Sequence, residues 1–97
     1  MWGDSRYKEV FMQQVIQTLG EYIKEQYDAK LDKQENIFNS GIIDSLGFVN
    51  LIGFISEAFE IEFEPEDLIE DNFYSLERMA QFILQKKVWN RFSFNIF

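Results

Sequence analysis

At 97 residues, with 46% hydrophobic content and eleven Phe, the chain is long enough for one packed core and too apolar for disorder. Its net charge of −8 argues against nucleic acid as a partner, because binding DNA or RNA requires phosphates to be neutralised. The chain has no Cys and no His, which excludes disulfides and Cys nucleophiles and removes the usual base of a serine enzyme and the usual transition-metal ligand.

One Pro and five Gly leave little room for a turn-rich all-β fold. No stretch of about 18 apolar residues is present, so no membrane-spanning helix is expected. Met1-Trp2-Gly3-Asp4-Ser5-Arg6 lacks a basic region followed by an apolar one, and the expected location is cytoplasmic.

The first helix is predicted from about Arg6 to Tyr27. Phe11, Val15, Leu19 and Tyr22, with Met12, Ile16 and Ile23 one row over, form a broad apolar stripe at helical spacing. Asp4 or Ser5 is placed to cap its start. A polar stretch follows from Asp28 to Glu35, and then a loop with two apolar anchors, Ile37 and Phe38. This connection spans roughly 16 residues, and ordered loops of such length are commonly functional.

The second helix is predicted to begin at Asp44 or Ser45 and to end near Phe59, with Asp44 as a good N-cap. Val49, Leu51, Ile52, Ile55, Ala58 and Phe59 supply its stripe, while Leu46, Phe48 and Phe54 fall outside it. A helix apolar around so much of its circumference is either central to a bundle or offers a face to a partner.

Ile61-Glu62-Phe63-Glu64 alternates like a strand but is too short and has no partner. The run from Glu64 to Ile69 reads as a short helix with Pro65 in its first turn. Ser75 is predicted to cap a last helix whose Leu76, Met79, Ala80 and Ile83 share one face, with Lys86 and Lys87 at its negative end. The reading is all-α, with four helices: long, long, short, medium.

From Glu57 to Asp71 there are eight acids and no Lys or Arg. This run is either a patch that steers basic partners or a solvated surface that keeps the domain soluble. It lacks the spacing of a calcium loop, and no Gly-rich phosphate loop is present.

Ser45 lies where a loop becomes a helix, in Gly41-Ile42-Ile43-Asp44-Ser45-Leu46. It is either an ordinary cap or a hydroxyl held out for another enzyme to modify.

This run, with the Val49/Leu51/Ile52 helix, Glu57-Ala58-Phe59 and Phe73-Tyr74-Ser75-Leu76, resembles the acyl carrier protein family over roughly residues 10–84. The resemblance implies a small four-helix bundle, expected over 1–87, and the aromatic extension over 88–97 departs from it by running beyond the usual family end. It implies 4'-phosphopantetheine on Ser45, drawn from coenzyme A, with Asp44 as cap and recognition residue for the transferase. The protein is then no enzyme but a carrier of an acyl thioester, expected to be monomeric and to serve a specialised fatty-acid, lipid or secondary-metabolite pathway.

The expected partners are a phosphopantetheinyl transferase, an acyl- or aminoacyl-loading synthetase or transferase, and downstream acyl-processing enzymes. Typical fatty-acid carriers hold acids along the exposed face of the second helix, where this chain has Gly47, Asn50 and Ser56. That departure points to a dedicated partner reading Leu46, Phe48 and Val49 together with Glu57, Glu60 and Asp67. An aminoacyl or peptidyl carrier, or a non-carrying helical interaction module, stands as the alternative.

In the extension, Trp89, Phe92 and Ile96 fit a helical row whereas Phe92, Phe94 and Ile96 fit a strand row. The extension is expected to cover apolar surface of the bundle, together with Trp2, or else to dock a partner or a membrane surface.

Overall fold

The computed structural model describes residues 5–96, with side chains described over 6–87. Four α-helices follow one another: α1 (Ser5–Tyr27), α2 (Ser45–Phe59), α3 (Glu70–Phe73) and α4 (Leu76–Ile96). A 3-10 turn, Pro65–Asp67, precedes α3, and no strand occurs among the described residues. The short helix expected from Glu64 to Ile69 is therefore only a 3-10 turn, and the single α-helical turn follows it at Glu70–Phe73. Asp4 and Trp2 lie outside the described residues.

The α1 stripe is seen as expected. Val15, Leu19 and Ile23 are fully buried, and Phe11, Met12, Ile16 and Tyr22 pack beside them. On α4, Leu76, Met79, Ala80 and Ile83 are buried, and the Arg78 N–H donates to Ser75 Oγ at 3.0 Å, so Ser75 is the cap. The backbone after Lys87 is helical through Ile96. The packing expected of the aromatic side chains there, and of Trp2, lies outside the described residues.

The long connection from Asp28 to Asp44 is held throughout. Leu31, Ile37 and Ile43 enter the core. The Ile37 N–H donates to Tyr74 O at 2.7 Å, and the Glu77 N–H donates to Lys33 O at 2.9 Å. Asn36 Oδ1 accepts from the Phe38 N–H, and Ser40 Oγ donates to Ile37 O. These bonds tie the loop to the start of α4 and fix where it delivers the chain into α2.

An aromatic cluster joins the parts. Phe73 of α3 meets Phe48 of α2 at 5.5 Å, and Phe63 and Phe82 at 5.6 Å each, all edge to face. Phe48 also meets Phe38 of the loop at 5.5 Å.

Two expectations are corrected. The stripe of α2 is rotated: Gly47, Leu51 and Ile55 are its buried residues, whereas Val49 and Ala58 are exposed. The cause is the pull of Phe48 into the aromatic cluster and of Phe54 onto Tyr22, whose rings stack at 4.3 Å. Nor do Lys86 and Lys87 end their own helix, which continues to Ile96. Lys87 Nζ donates instead to Phe59 O at 2.9 Å, placing a cation at the negative end of α2.

Lys86 Nζ pairs with Asp67 Oδ2 at 2.8 Å, and the two side chains are 13% and 16% exposed. The same carboxylate accepts from the Glu64 N–H at 2.8 Å. Burial pushes the Asp67 carboxyl up, but the Lys86 hydrogen bond, the Glu64 N–H and the Lys86 charge together hold it below the usual value. A depressed folded pKa gives stability that is present above the unfolded value of about 3.9 and lost as pH falls through the folded one. Asp67→Asn should therefore cost about 1–3 kcal/mol at pH 7, between exposed and buried pairs. In urea titrations the gap between wild type and variant should shrink below pH 4, and a gap unchanged down to pH 2 would contradict the assignment.

Candidate functional site

The start of α2 is set by the loop and by one cap. Ile43 is buried and anchors the approach. Asp44 follows in extended backbone (φ −93°, ψ −172°), and its Oδ1 accepts from the Gly47 N–H at 2.7 Å. This bond satisfies one of the free donors of the first turn. Asp44 is therefore the cap, and Ser45 is not.

Ser45 is the first residue of the helix, and it is exposed. Its hydroxyl makes no hydrogen bond among the described residues. The rest of the first turn carries no acid, so the positive helix end faces the space around Ser45 with only the Asp44 carboxylate nearby. Such a hydroxyl is open to a macromolecular partner. No base accompanies it, since the chain lacks His and Cys.

Gly47 secures the position of this turn. A Cβ built on it would lie 2.5 Å from Tyr27 Oη, and 3.2 Å from both Asp44 Oδ1 and Ile43 Cγ2. The hydroxyl at the end of α1 thus rests directly on the backbone of α2, two residues beyond Ser45. In the sequence Gly47 stands out only as a position where typical fatty-acid carriers hold an acid. The signal was Tyr27, the last residue of α1, but pairing it with Gly47 requires the tertiary approach.

The residues expected to meet partners fall into three environments. Leu46 and Val49 are 69% and 63% exposed, one turn apart on the same face of α2 as the Ser45 end. Glu57 and Glu60 are exposed at the far end of that helix. Phe48 is half-buried between Phe38 and Phe73, and Asp67 is held by Lys86 and the Glu64 N–H. The structure brings Asp44, Ser45, Leu46 and Val49 together, while Phe48 and Asp67 serve packing and pairing within the fold.

Among the described residues no group of His, Cys, Asp and Glu could hold a metal ion, and no helix is long and apolar enough to cross a membrane.

The described residues thus form a small helical bundle with an exposed serine, unbonded among them, at a helix mouth capped by Asp44. The family defined by a phosphopantetheine attachment site matches residues 13–83, and the chain belongs to it. Proteins of this family carry covalently attached 4'-phosphopantetheine and interact with phosphopantetheinyl transferases. No curated protein matches the chain.

Proposed function

We propose that this chain acts as an acyl carrier, with Ser45 as the attachment residue for 4'-phosphopantetheine. The observation that carries the reading is the exposed, unbonded Ser45 hydroxyl at the first position of a helix already capped by Asp44. The site fits the group: the free N–H groups and positive end of α2 suit a phosphodiester. When bound, the group supplies a terminal thiol on which an acyl group is held as a thioester. Ser45 Oγ needs its proton removed for attachment, and with no His in the chain that base belongs to the transferase.

The protein does no chemistry of its own in this reading. Leu46 and Val49 offer the apolar contact beside the serine, and Glu57 and Glu60 steer basic surfaces of loading and acyl-processing enzymes. We assign the carrier to a specialised route with dedicated partner enzymes, because acids are absent from Ser45 to Ser56, where typical fatty-acid carriers hold them.

The absence of Cys gives a direct test. Apo protein should contain no titratable thiol, and treatment with coenzyme A and a broad-specificity transferase should create one per chain. Ser45→Ala should remain without one. A thiol that appears equally in Ser45→Ala would move the site, and none in wild type would sink the reading.

Docking is tested separately. Glu57→Lys with Glu60→Lys should slow transferase modification on the order of tenfold at low salt, with the difference fading in high salt. Equal rates at low salt would remove these acids from the encounter.

A further inference from the structure

Beyond the helix mouth, a cleft opens between α1 and α2, lined by Tyr22, Gln26, Asn50, Gly53, Phe54 and Glu57. Leu46, Asn50, Gly53 and Glu57 recur at helical spacing and so share one face of α2, which continues from the residue after Ser45. Along the axis, Asn50 and Gly53 lie about 7.5 and 12 Å beyond Ser45.

Gly53 is the unusual element. Its φ is not positive, and a Cβ there would meet nothing within 4 Å. Nothing among the described residues requires glycine at this point, although glycine weakens a helix interior. The remaining use of a missing side chain is to let something approach the helix backbone closely.

The lining says what that something is. The stacked Tyr22 and Phe54 rings give an apolar surface, and the Gln26 and Asn50 carboxamides each offer both a donor and an acceptor. Burial, and after it the neighbouring Tyr27, pushes the Tyr22 phenol up, so that ring stays neutral. Glu57, at the end away from Ser45, is the one charged residue of the lining. Two further clefts along α1 differ: one is lined by Lys8, Glu9, Lys33 and Glu77 among others, and one by Glu21, Lys24, Asp28 and Lys30 among others.

We infer that the α1–α2 cleft is a resting berth for the pantetheine portion of the arm attached to Ser45. That portion is a neutral chain with a branched apolar end and a pair of amides, matching the ring pair and the carboxamides. The inference rests on attachment at Ser45, and the test keeps the two apart. Held against Gly53, the arm would be shielded between encounters and released when a partner covers Leu46 and Val49.

The experiment compares 15N-labelled apo and holo protein by amide NMR, for wild type and Gly53→Leu, with intact mass confirming attachment in each. At Gly53 a Cβ meets nothing within 4 Å and leucine raises helix propensity, so Gly53→Leu is expected to fold. In wild type, attachment should shift the Gly53 amide and the side-chain NH2 resonances of Gln26 and Asn50, as well as the first turn of α2. In Gly53→Leu the mass gain should persist while the Gln26 shift disappears. Full mass gain with shifts confined to the Ser45 turn would overturn the berth and leave attachment intact. So would cleft shifts unchanged by Gly53→Leu, or shifts seen only when transferase is added, which would make the cleft a partner's docking point. No mass gain would overturn both readings.

Discussion

Phe73→Ala is expected to destabilise the domain by about 3–5 kcal/mol, the range for removing a large buried aromatic. Phe73 is fully buried in a helix of only four residues, and its ring meets Phe48, Phe63 and Phe82. Little else holds α3. The Asn72 side chain donates to Asp67 O at 2.8 Å and accepts from Arg78, while Tyr74 O accepts from Ile37. Domains of this size have about 5–15 kcal/mol in total, so the variant would lose a large share of its stability. Each kcal/mol is worth roughly 4–8 °C in Tm here, and a fall of at least about 12 °C is the expected readout. A fall of under 4 °C would show that the cluster repacks and that Phe73 is not its centre.

Gly47→Ala should act more locally and reach the site itself. In an open helix the exchange would gain about 1 kcal/mol, but here the new methyl would stand 2.5 Å from Tyr27 Oη. The Oη lies at the end of a large, half-buried ring, so either the Tyr27 ring swings off the core or the first turn of α2 shifts. Overpacking of this kind costs about 1–3 kcal/mol, which outweighs the propensity gain. Tyr27→Phe removes the offending oxygen and should recover part of the loss in the double variant, since contacts of 3.2 Å to Asp44 and Ile43 remain. Urea unfolding of the four proteins, with transferase kinetics on each, reads both effects. Gly53→Ala is the control, expected to gain stability by about 0.5–1 kcal/mol because its site is open. Additive losses at Gly47 and Tyr27 would contradict the direct contact.

Much of this architecture is legible in the sequence because it depends on local rules. The long periodic stripe of α1, the Asp44 and Ser75 caps, and the Ile37 and Phe38 anchors each follow from a residue and its near neighbours. What was not legible depends on contacts between elements. The rotation of α2 follows from rings on other segments, Tyr22, Phe38 and Phe73, drawing Phe54 and Phe48 inward and turning Val49 outward. α3 is a single turn, too short for any period to show. Lys86 and Lys87 read as a helix-ending pair, yet their partners lie 19 and 28 residues away, on Asp67 and Phe59.

The candidate site divides in the same way. Ser45 and its Asp44 cap are legible from a short motif, and the structure adds that the serine hydroxyl is exposed and unbonded among the described residues. The acidic run read as one patch. Asp67 is paired inside the fold, whereas Glu57 and Glu60 are exposed on or just after α2. Charge counted along a sequence does not distinguish a carboxylate that steers a partner from one that closes a turn.

The most direct measurement is the mass of proteolytic peptides from the chain after treatment with coenzyme A and a phosphopantetheinyl transferase. One 4'-phosphopantetheine should be found per chain, on the peptide containing Asp44-Ser45-Leu46, and Ser45→Ala should gain nothing while keeping its helical circular dichroism. An unchanged wild-type mass, or the group on any other peptide, would contradict Ser45 as the attachment residue.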